Sequence, residues 1–351
     1  MIEKFGKSRK GYHDLNSVFY DQLENEKFLK NLRSCLRIYK KQPKRKNCKL
    51  CNQKLNLKEV AFKKNGIKWF VCKNCGQLNA EFQDTNKYNK LIYEKDYGIS
   101  SDVYSKFSIE DYDRKVDNVY LPKVDFLLKV LKKEKVSLKN IKCCDFGTGS
   151  GFLLKAFLKR GVDKVIGYEV NNEQVKYGNK MLGRELIIQK KITEVESLVE
   201  ETDAQIITSI FHLEHIANPL SFLNKVKKNK NIKFLYAAVP LYSFGAIFEI
   251  LFENLTPRVL GESHTHLYTN ESIEWIEKKL NIKLVGAWWF GGDIFDLHKS
   301  IFMSLSKKVQ GDSVLNKFNE NFQIIWDSFQ KTVDKKKLCS EVHLVYKVNN
   351  D

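Results

Sequence analysis

The stretch IKCCDFGTGSGFLL, residues 141–154, carries the strongest structural signal in the sequence. A short apolar run ends near Asp145, three glycines follow at every second position (Gly147, Gly149 and Gly151), and apolar residues then recur at helical spacing. Glycine at such a junction lets the chain turn tightly and lets another group lie against the backbone. The pattern predicts a strand, a glycine loop and a helix, with a ligand site at the loop.

The flanking sequence alternates between strand and helix patterns. A helix is predicted at Leu121–Lys133 before the loop and at Phe152–Lys159 after it, and KVIGYEV then reads as a strand. The chain closes with a long helix at about 313–335 and the strand SEVHLVYKV. Alternation of this kind predicts an α/β fold, a parallel sheet with helices on both faces.

The loop departs from the dinucleotide-binding pattern Gly-x-Gly-x-x-Gly. Its third glycine comes one residue early, and Phe152 stands where that motif requires glycine. Glu169 ends the next strand, where an acidic side chain accepts hydrogen bonds from ribose hydroxyls. Asp145, just before the loop, suits an amino-bearing ligand better than a pyrophosphate. A nucleoside with a cationic amino-acid tail satisfies both carboxylates, and S-adenosylmethionine is such a ligand.

These motifs resemble those of class I S-adenosylmethionine-dependent methyltransferases. CDFGTGSG followed by GYEV is similar to the first two cofactor motifs of that family. TSIFHLEHIANPLSFL resembles the fourth-strand region of a large Glu-His subgroup, and AVPLYSF resembles its fifth strand. The resemblance covers roughly residues 120–350 and implies a Rossmann-like sheet of seven strands, the last antiparallel and inserted beside the fifth. The implied cofactor-binding residues are Asp145, Gly147, Thr148, Gly149, Gly151, Glu169 and Phe211.

Two Cys-x-x-Cys pairs, CKLC at 48–51 and CKNC at 72–75, precede this region. Their separation matches a four-thiolate zinc site, and the sequence between them predicts a β-hairpin turning at Asn65-Gly66. We therefore expect a zinc ribbon that acts as a structural staple, with Cys48, Cys51, Cys72 and Cys75 as ligands. Disulfides are the alternative, but no export signal precedes the pairs.

The chain divides into four predicted segments. An N-terminal helical segment (1–46) contains apolar residues at helical spacing over 14–41. The zinc ribbon occupies 47–82, a Tyr-rich linker or lid 83–120, and the methyltransferase domain 121–351. A ribbon joined to this domain by a Tyr-rich linker also resembles methyltransferases of sugar and surface-glycan biosynthesis.

Candidate catalytic residues cluster just past the predicted fourth strand, at His212, Glu214 and His215, with His264 in a second histidine-containing stretch. In sugar C-methyltransferases the matching Glu-His pair is implicated in acid/base work. The resemblance therefore implies His215 as the base, with Glu214 orienting it or binding sugar hydroxyls. The alternative is that the pair shapes the start of the following helix and contacts the cofactor.

A bound divalent cation is a further alternative. Ubiquinone-biosynthesis O-methyltransferases resemble this region and hold a cation with Glu-x-x-Glu-His, but Phe211 here replaces the first Glu. His264 and His266 are the remaining candidate ligands. The aromatic run Trp288–Phe290 predicts either a wall of the acceptor site or the packed core of a strand.

The net charge of +18 is concentrated in the first 100 residues, which hold 23 Lys and Arg against 10 Asp and Glu. Such a segment attracts polyanions, although the Lys-rich composition of the whole chain explains part of the excess. Two function classes follow. The first is methylation of a small molecule, a sugar or nucleotide sugar; the second is methylation of RNA held by the basic ribbon.

Residues 238–241 help to distinguish these two classes. Ala-Val-Pro-Leu stands near the place where base-amine methyltransferases carry Asn/Asp-Pro-Pro-Tyr, which favours the small-molecule class. A non-catalytic scaffold is a third class, which the intact glycine motif and both carboxylates disfavour. The N-terminus lacks a secretory pattern and the longest apolar run contains Pro240, so we expect a cytoplasmic protein without a membrane span. The sequence does not specify an oligomeric state.

Overall fold

The computed structural model describes residues 1–7, 20–94, 107–260 and 264–348, with the backbone alone for Glu196. Twelve strands are described in this part of the chain, in two sheets. In chain order they are β1 (Ile2–Phe5), β2 (Phe62–Lys64), β3 (Ile67–Val71), β4 (Leu78–Ala80), β5 (Cys143–Phe146), β6 (Val165–Glu169), β7 (Ile187–Gln189), β8 (Ile206–Ile210), β9 (Phe234–Pro240), β10 (His266–Leu267), β11 (Lys283–Phe290) and β12 (Glu341–Lys347).

The α-helices of the described residues surround these sheets. They are α1 (Gln22–Tyr39), α2 (Asn86–Asn89), α3 (Ile109–Lys115), α4 (Leu121–Lys133), α5 (Phe152–Lys159), α6 (Asn172–Leu182), α7 (Val195–Glu201), α8 (Pro219–Lys228), α9 (Phe244–Leu251), α10 (Asn270–Leu280), α11 (Asp293–Leu305) and α12 (Ser313–Lys335). Two π-helical turns, Lys90–Glu94 and Val116–Tyr120, continue α2 and α3. None of these helices is both long and apolar enough to cross a bilayer.

The larger sheet has the order β1-β11-β12-β9-β8-β5-β6-β7. Strands β5 to β9 run parallel, and β12 lies antiparallel between β9 and β11. Apolar clusters pack on both faces of the sheet. The predicted α/β fold, with its last strand antiparallel beside the fifth, is therefore confirmed.

The predicted seven strands are β5 to β9, β11 and β12, and β1 adds an eighth. Residues 2–5 lie in the segment for which we expected only helix, and they pair in parallel with β11 from Gly286 to Trp289. The Trp288 indole donates to the Gly6 carbonyl oxygen at 2.7 Å and anchors the end of this strand. Strand β1 thus covers the edge of β11, whose backbone groups would otherwise need solvent or another chain.

The smaller sheet is the predicted ribbon with one addition. Strands β2 and β3 form the expected hairpin, and Asn65 and Gly66 have φ angles of 50° and 71°, which the tight turn requires. The order is β10-β4-β3-β2, so His266–Leu267 pairs with Leu78–Asn79. The ribbon therefore shares a sheet with a strand from the middle of the proposed 121–351 domain.

Helix α1 packs against this ribbon. It begins at Gln22, with Asp21 as its N-cap, and its buried face includes Leu29 and Leu32. The predicted helix began at residue 14, and residues 8–19 lie outside the described part of the chain. Tyr97 and Tyr104 of the predicted linker also lie outside it.

The aromatic run Trp288–Phe290 belongs to the core. All three side chains lie in the last half of β11, and Trp288 and Phe290 are each 1% exposed. Phe290 stacks on His343 of β12, with ring centroids 5.2 Å apart. Of the two explanations predicted for this run, core packing is the one that the structure supports.

Candidate functional site

The glycine loop 147–151 joins β5 to α5, and each of its three glycines has a positive φ angle, between 56° and 74°. A Cβ atom on Gly147 would lie 2.6 Å from the ring of His212, and one on Gly151 would lie 2.8 Å from Ile187. The loop thus needs glycine for its left-handed backbone and for close approach of the protein's own side chains.

Glu169, at the end of β6, closes this loop. Its carboxylate accepts backbone N–H bonds from Gly149 (2.8 Å), Val170 (2.8 Å) and Asn171 (2.9 Å). Burial raises the pKa of the carboxyl group, and these three donors oppose that shift. A carboxylate offers about four acceptor positions, so Glu169 keeps capacity for a hydroxyl of a bound ribose.

Asp145 lies one residue before the end of β5, the neighbour of β6, and is only 3% exposed. Its Oδ1 accepts a hydrogen bond from the Thr208 hydroxyl at 2.5 Å. Burial raises the pKa of Asp145 to about 7, because the charged form is poorly solvated there. A ligand ammonium group would restore the charge, so the residues present fit S-adenosylmethionine.

The end of β8 carries the third part of the site. Phe211, which follows this strand, has a φ angle of 53°, an uncommon conformation for a residue with a side chain. Its backbone N–H bonds the Ala238 carbonyl oxygen, which fixes the turn. The turn places the ring of His212 against Gly147, and Nδ1 of His212 lies 3.1 Å from the Ser209 hydroxyl. Burial lowers the pKa of His212 to about 4, so its ring is neutral at pH 7.

Glu214 is the most unusual group in the site. Its side chain is fully buried, and within the described part of the chain neither carboxylate oxygen has a hydrogen-bond partner. Burial raises its pKa to about 8. Its Oε1 lies 3.8 Å from Nε2 of His215, whose side chain is 22% exposed. A buried carboxyl group without a donor is costly, and this indicates that a ligand completes the site.

Two histidine rings converge on Glu214. Nδ1 of His215 lies 2.8 Å from the Tyr93 hydroxyl, and Nδ1 of His264 lies 2.8 Å from the Val259 carbonyl oxygen. Because a carbonyl only accepts, His264 carries its proton on Nδ1 and its Nε2 is the atom with the lone pair. Burial lowers the pKa of His264 to about 4.

The trio Glu214, His215 and His264 could also hold a divalent cation, because its ligand atoms all lie within 4.8 Å of one another. This set differs from the Glu-x-x-Glu-His arrangement, since His264 takes part and the apolar Phe211 cannot. His266 is not part of the trio.

His266 and Tyr268 extend the polar interior behind this trio. Their ring centroids lie 5.3 Å apart, and both residues are fully buried. Neither ring nitrogen of His266 nor the Tyr268 hydroxyl has a partner among the described residues. Burial holds the pKa of His266 well below its ordinary value. In the described part of the chain, the polar atoms of the Glu214, His266 and Tyr268 side chains are therefore buried without hydrogen-bond partners.

Two further residues at the site carry no sequence signal of their own. Tyr93, in the Tyr-rich segment, bonds His215, and its carbonyl oxygen accepts from the Asn171 amide at 3.4 Å. Lys49, between the first two cysteines, is fully buried and donates to Asp84 and to the Glu214 carbonyl oxygen, the latter at 3.1 Å. The frequency of Tyr in residues 83–120 was the one hint, and it did not single out Tyr93.

The four ribbon cysteines converge as predicted. Their sulfur atoms lie 3.6 Å apart for Cys48 and Cys75 and 3.5 Å apart for Cys51 and Cys72. A tetrahedron of sulfurs with Zn–S bonds of about 2.3 Å has edges of about 3.8 Å. All four thiols are buried and none is in a disulfide, so the cluster fits a structural zinc ion.

Comparison with known proteins agrees with this geometry. Residues 112–286 match a family model described as "Methyltransferase domain". The match spans the glycine loop, both buried carboxylates and the Glu214–His215 pair. No curated protein matches the sequence.

Several solved structures are similar to this chain at low sequence identity. The plantazolicin methyltransferase BpumL in complex with SAH is 13% identical over 72% of this chain and 92% of its own, with a TM-score of 0.44. Magnesium protoporphyrin IX methyltransferase (ChlM) from Synechocystis PCC 6803 with bound SAH is 9% identical over 69% and 88%, with a TM-score of 0.41. A SAM-dependent methyltransferase from Archaeoglobus fulgidus is 14% identical over 69% and 100%, with a TM-score of 0.38.

Identities and TM-scores this low assign no substrate. The family match, together with the glycine loop and buried carboxylates inside it, establishes the activity. The chain contains a methyltransferase domain and is an S-adenosylmethionine-dependent methyltransferase.

Proposed function

We propose that the protein methylates a sugar, nucleotide-linked or part of a surface glycan, on oxygen or carbon. The observation that carries this proposal is the buried Glu214 carboxyl group, which has no hydrogen-bond partner among the described residues and lies beside two histidines. Such a cluster suits an acceptor that presents hydroxyl groups and must lose a proton during the reaction. The resemblance of the ribbon and linker to sugar-modifying methyltransferases points the same way.

S-adenosylmethionine, when bound, supplies a methyl group that its sulfonium already activates. Asp145 would pair with the amino group of the cofactor, and Glu169 would accept a ribose hydroxyl. The remaining residues proposed to bind the cofactor come from the glycine loop and from the turn after β8. They are Gly147, Thr148, Gly149 and Gly151 of the loop and Phe211 of the turn. Holding the acceptor in line is then a large part of the catalysis.

His215 is the proposed base. The Tyr93 hydroxyl at Nδ1 fixes the ring, so that Nε2 points toward Glu214 and takes the proton of the acceptor. Glu214 orients this ring or binds a sugar hydroxyl. His264, held by the Val259 carbonyl oxygen, presents Nε2 to the same space. His212 packs against the glycine loop and supports the cofactor-binding part of the site. Of the three histidines, His215 is the first candidate for direct proton transfer.

The test is calorimetric titration with S-adenosylmethionine, repeated with a panel of nucleotide sugars. We expect the cofactor to bind and one sugar to strengthen that binding, after which product is identified by mass spectrometry. A protein that does not bind the cofactor would contradict the whole proposal. Cofactor binding that no sugar changes would contradict the nucleotide-linked acceptor.

RNA is the second candidate acceptor, because 23 of the 60 Lys and Arg residues lie in the first 100 positions. Filter binding and methylation of total RNA at about 0.15 M salt distinguish the two, since non-specific phosphate contacts weaken steeply with salt. Tight binding with incorporation of labelled methyl groups into RNA would replace the sugar acceptor.

A further inference from the structure

A cleft of about 1070 Å³ separates the zinc ribbon from helix α8. One wall is formed by residues 45–52, at the start of the ribbon, and the other by residues 217–228, with residues 83–86 between them. The volume is that of a small-molecule site and too small for a folded nucleic acid. Neither the glycine loop nor the Glu214 side chain lines it, so it is distinct from the cofactor pocket.

The lining of the cleft is polar and positively charged. It includes five Lys and Arg side chains against two acidic ones, and six Asn and Gln side chains. Lys46 and Lys228 stand exposed on opposite walls. Amides bind hydroxyl groups and nucleobases, and the excess of cations attracts an anion.

A buried ionic cluster adds positive charge to the ribbon wall. Arg45 Nη2 donates to Asp84 Oδ1 at 2.6 Å, and Lys49 donates to the second oxygen of the same carboxylate. The three side chains are at most 7% exposed. One carboxylate therefore faces two cations, and an anion in the cleft would offset this imbalance.

The walls of the cleft are close in sequence to the acid–histidine trio. Segment 84–94 lines the cleft at its start and places Tyr93 on His215 at its end. Ala217, in the opposite wall, is two residues past His215. Lys49 joins the same cluster to the Glu214 carbonyl oxygen. Short chain segments and the Lys49 hydrogen bond therefore connect both walls of the cleft to the acid–histidine trio.

We propose that this cleft binds a nucleoside diphosphate, with the phosphates between Lys46 and Lys228, and so directs the attached sugar to Glu214 and His215. The inference rests on the proposed sugar acceptor and specifies its carrier. The zinc ribbon then has a second role besides its structural one, because it supplies one wall of the acceptor site.

The test is calorimetry on the full chain at about 0.15 M salt with UDP, GDP and dTDP, without S-adenosylmethionine. Two double variants are compared, K46A/K228A in the cleft and K139A/K164A on exposed positions away from it. Both remove two positive charges, so the global electrostatic change is the same. We expect one diphosphate to bind roughly tenfold more weakly to the cleft variant. The control variant should bind as the wild type does, and cofactor affinity should be unchanged in both.

Several results would overturn the inference. These are no diphosphate binding, equal weakening in both variants, or binding of pyrophosphate as tight as that of any nucleotide. A 12-nucleotide RNA that binds more tightly than every diphosphate, and that the cleft variant releases, would assign the cleft to RNA instead. A wild-type protein that binds a diphosphate but not S-adenosylmethionine would contradict the proposed function and leave the cleft assignment standing.

Discussion

The glycine loop and the acid–histidine trio lie at the same edge of one sheet, yet they are built differently. The loop comes from one continuous stretch, 147–151, and the Glu169 carboxylate accepts a hydrogen bond from the Gly149 N–H and two more from Val170 and Asn171. The trio gathers Glu214, His215 and His264 with support from the ribbon and the Tyr-rich segment, and the Glu214 carboxylate has no hydrogen-bond partner among the described residues. The cofactor half is preformed, whereas the acceptor half depends on distant segments and on a ligand.

The largest effect should come from His215→Ala. If His215 is the base, turnover falls by about 10²–10⁴-fold while cofactor affinity stays within twofold. Steady-state kinetics and calorimetry together separate the two quantities. If the variant instead loses cofactor affinity and its turnover falls in proportion, the Glu-His pair shapes the cofactor site. The glycine loop and the trio would then not be functionally separate.

Removing zinc tests whether the ribbon supports only the acceptor half. Cys48→Ser should lower the zinc content and turnover, the latter by about 100-fold, because Lys49 then no longer holds the Glu214 loop. Cofactor affinity should change by less than about fivefold. Elemental analysis gives the zinc content, and Lys54→Ala in the same ribbon serves as a control. An unchanged metal content in the Ser variant would refute the four-thiolate site.

Gly147→Ala probes the preformed half. Its φ angle of 71° and the His212 ring 2.6 Å from the new Cβ both oppose the substitution. We expect cofactor affinity to fall by about 100-fold, since the loop must move. Gly161→Ala is the matched control: its φ angle is 74°, but nothing lies within 4 Å of the Cβ, so it should cost only about 1 kcal/mol of stability. Equal affinities in the two variants would show that contact with His212 is unimportant.

Asp145 should make cofactor binding depend on pH. Because burial raises its pKa to about 7, the free protein loses the carboxylate charge as the pH falls below 7. An ammonium ligand binds the charged form, so affinity should fall by up to about tenfold per pH unit below that value. Calorimetry between pH 6 and 8 measures this, with Asp145→Asn expected to be weaker and flat. A flat wild-type profile would remove Asp145 from the amino-group site.

The smallest effect should come from Tyr93→Phe. This change removes the hydroxyl at Nδ1 of His215 and keeps the ring that packs on it at 5.2 Å. Turnover should fall by about five- to tenfold, with the apparent pKa of the pH–rate profile shifted and cofactor affinity unchanged. A variant with wild-type turnover would show that the ring of His215 needs no such support.

Elements whose signals are local could be predicted from the sequence. The glycine loop, the Asn65-Gly66 turn, the helix Leu121–Lys133 and the four zinc-ligand candidates all follow from spacings within one or two short stretches. Backbone conformation and thiolate geometry at such sites depend on immediate neighbours. The order of these stretches along the chain was then enough to predict the α/β fold.

Contacts between distant side chains could be found only in the folded structure. His264 lies 49 positions beyond His215, and Lys49 reaches Glu214 across 165 positions, so no local pattern could relate them. The added strand Ile2–Phe5 is likewise explained by the open edge of β11, which exists only once the sheet has formed. Contacts of this kind follow from topology, because it is the sheet order that brings the ribbon, the Tyr-rich segment and the strand ends together.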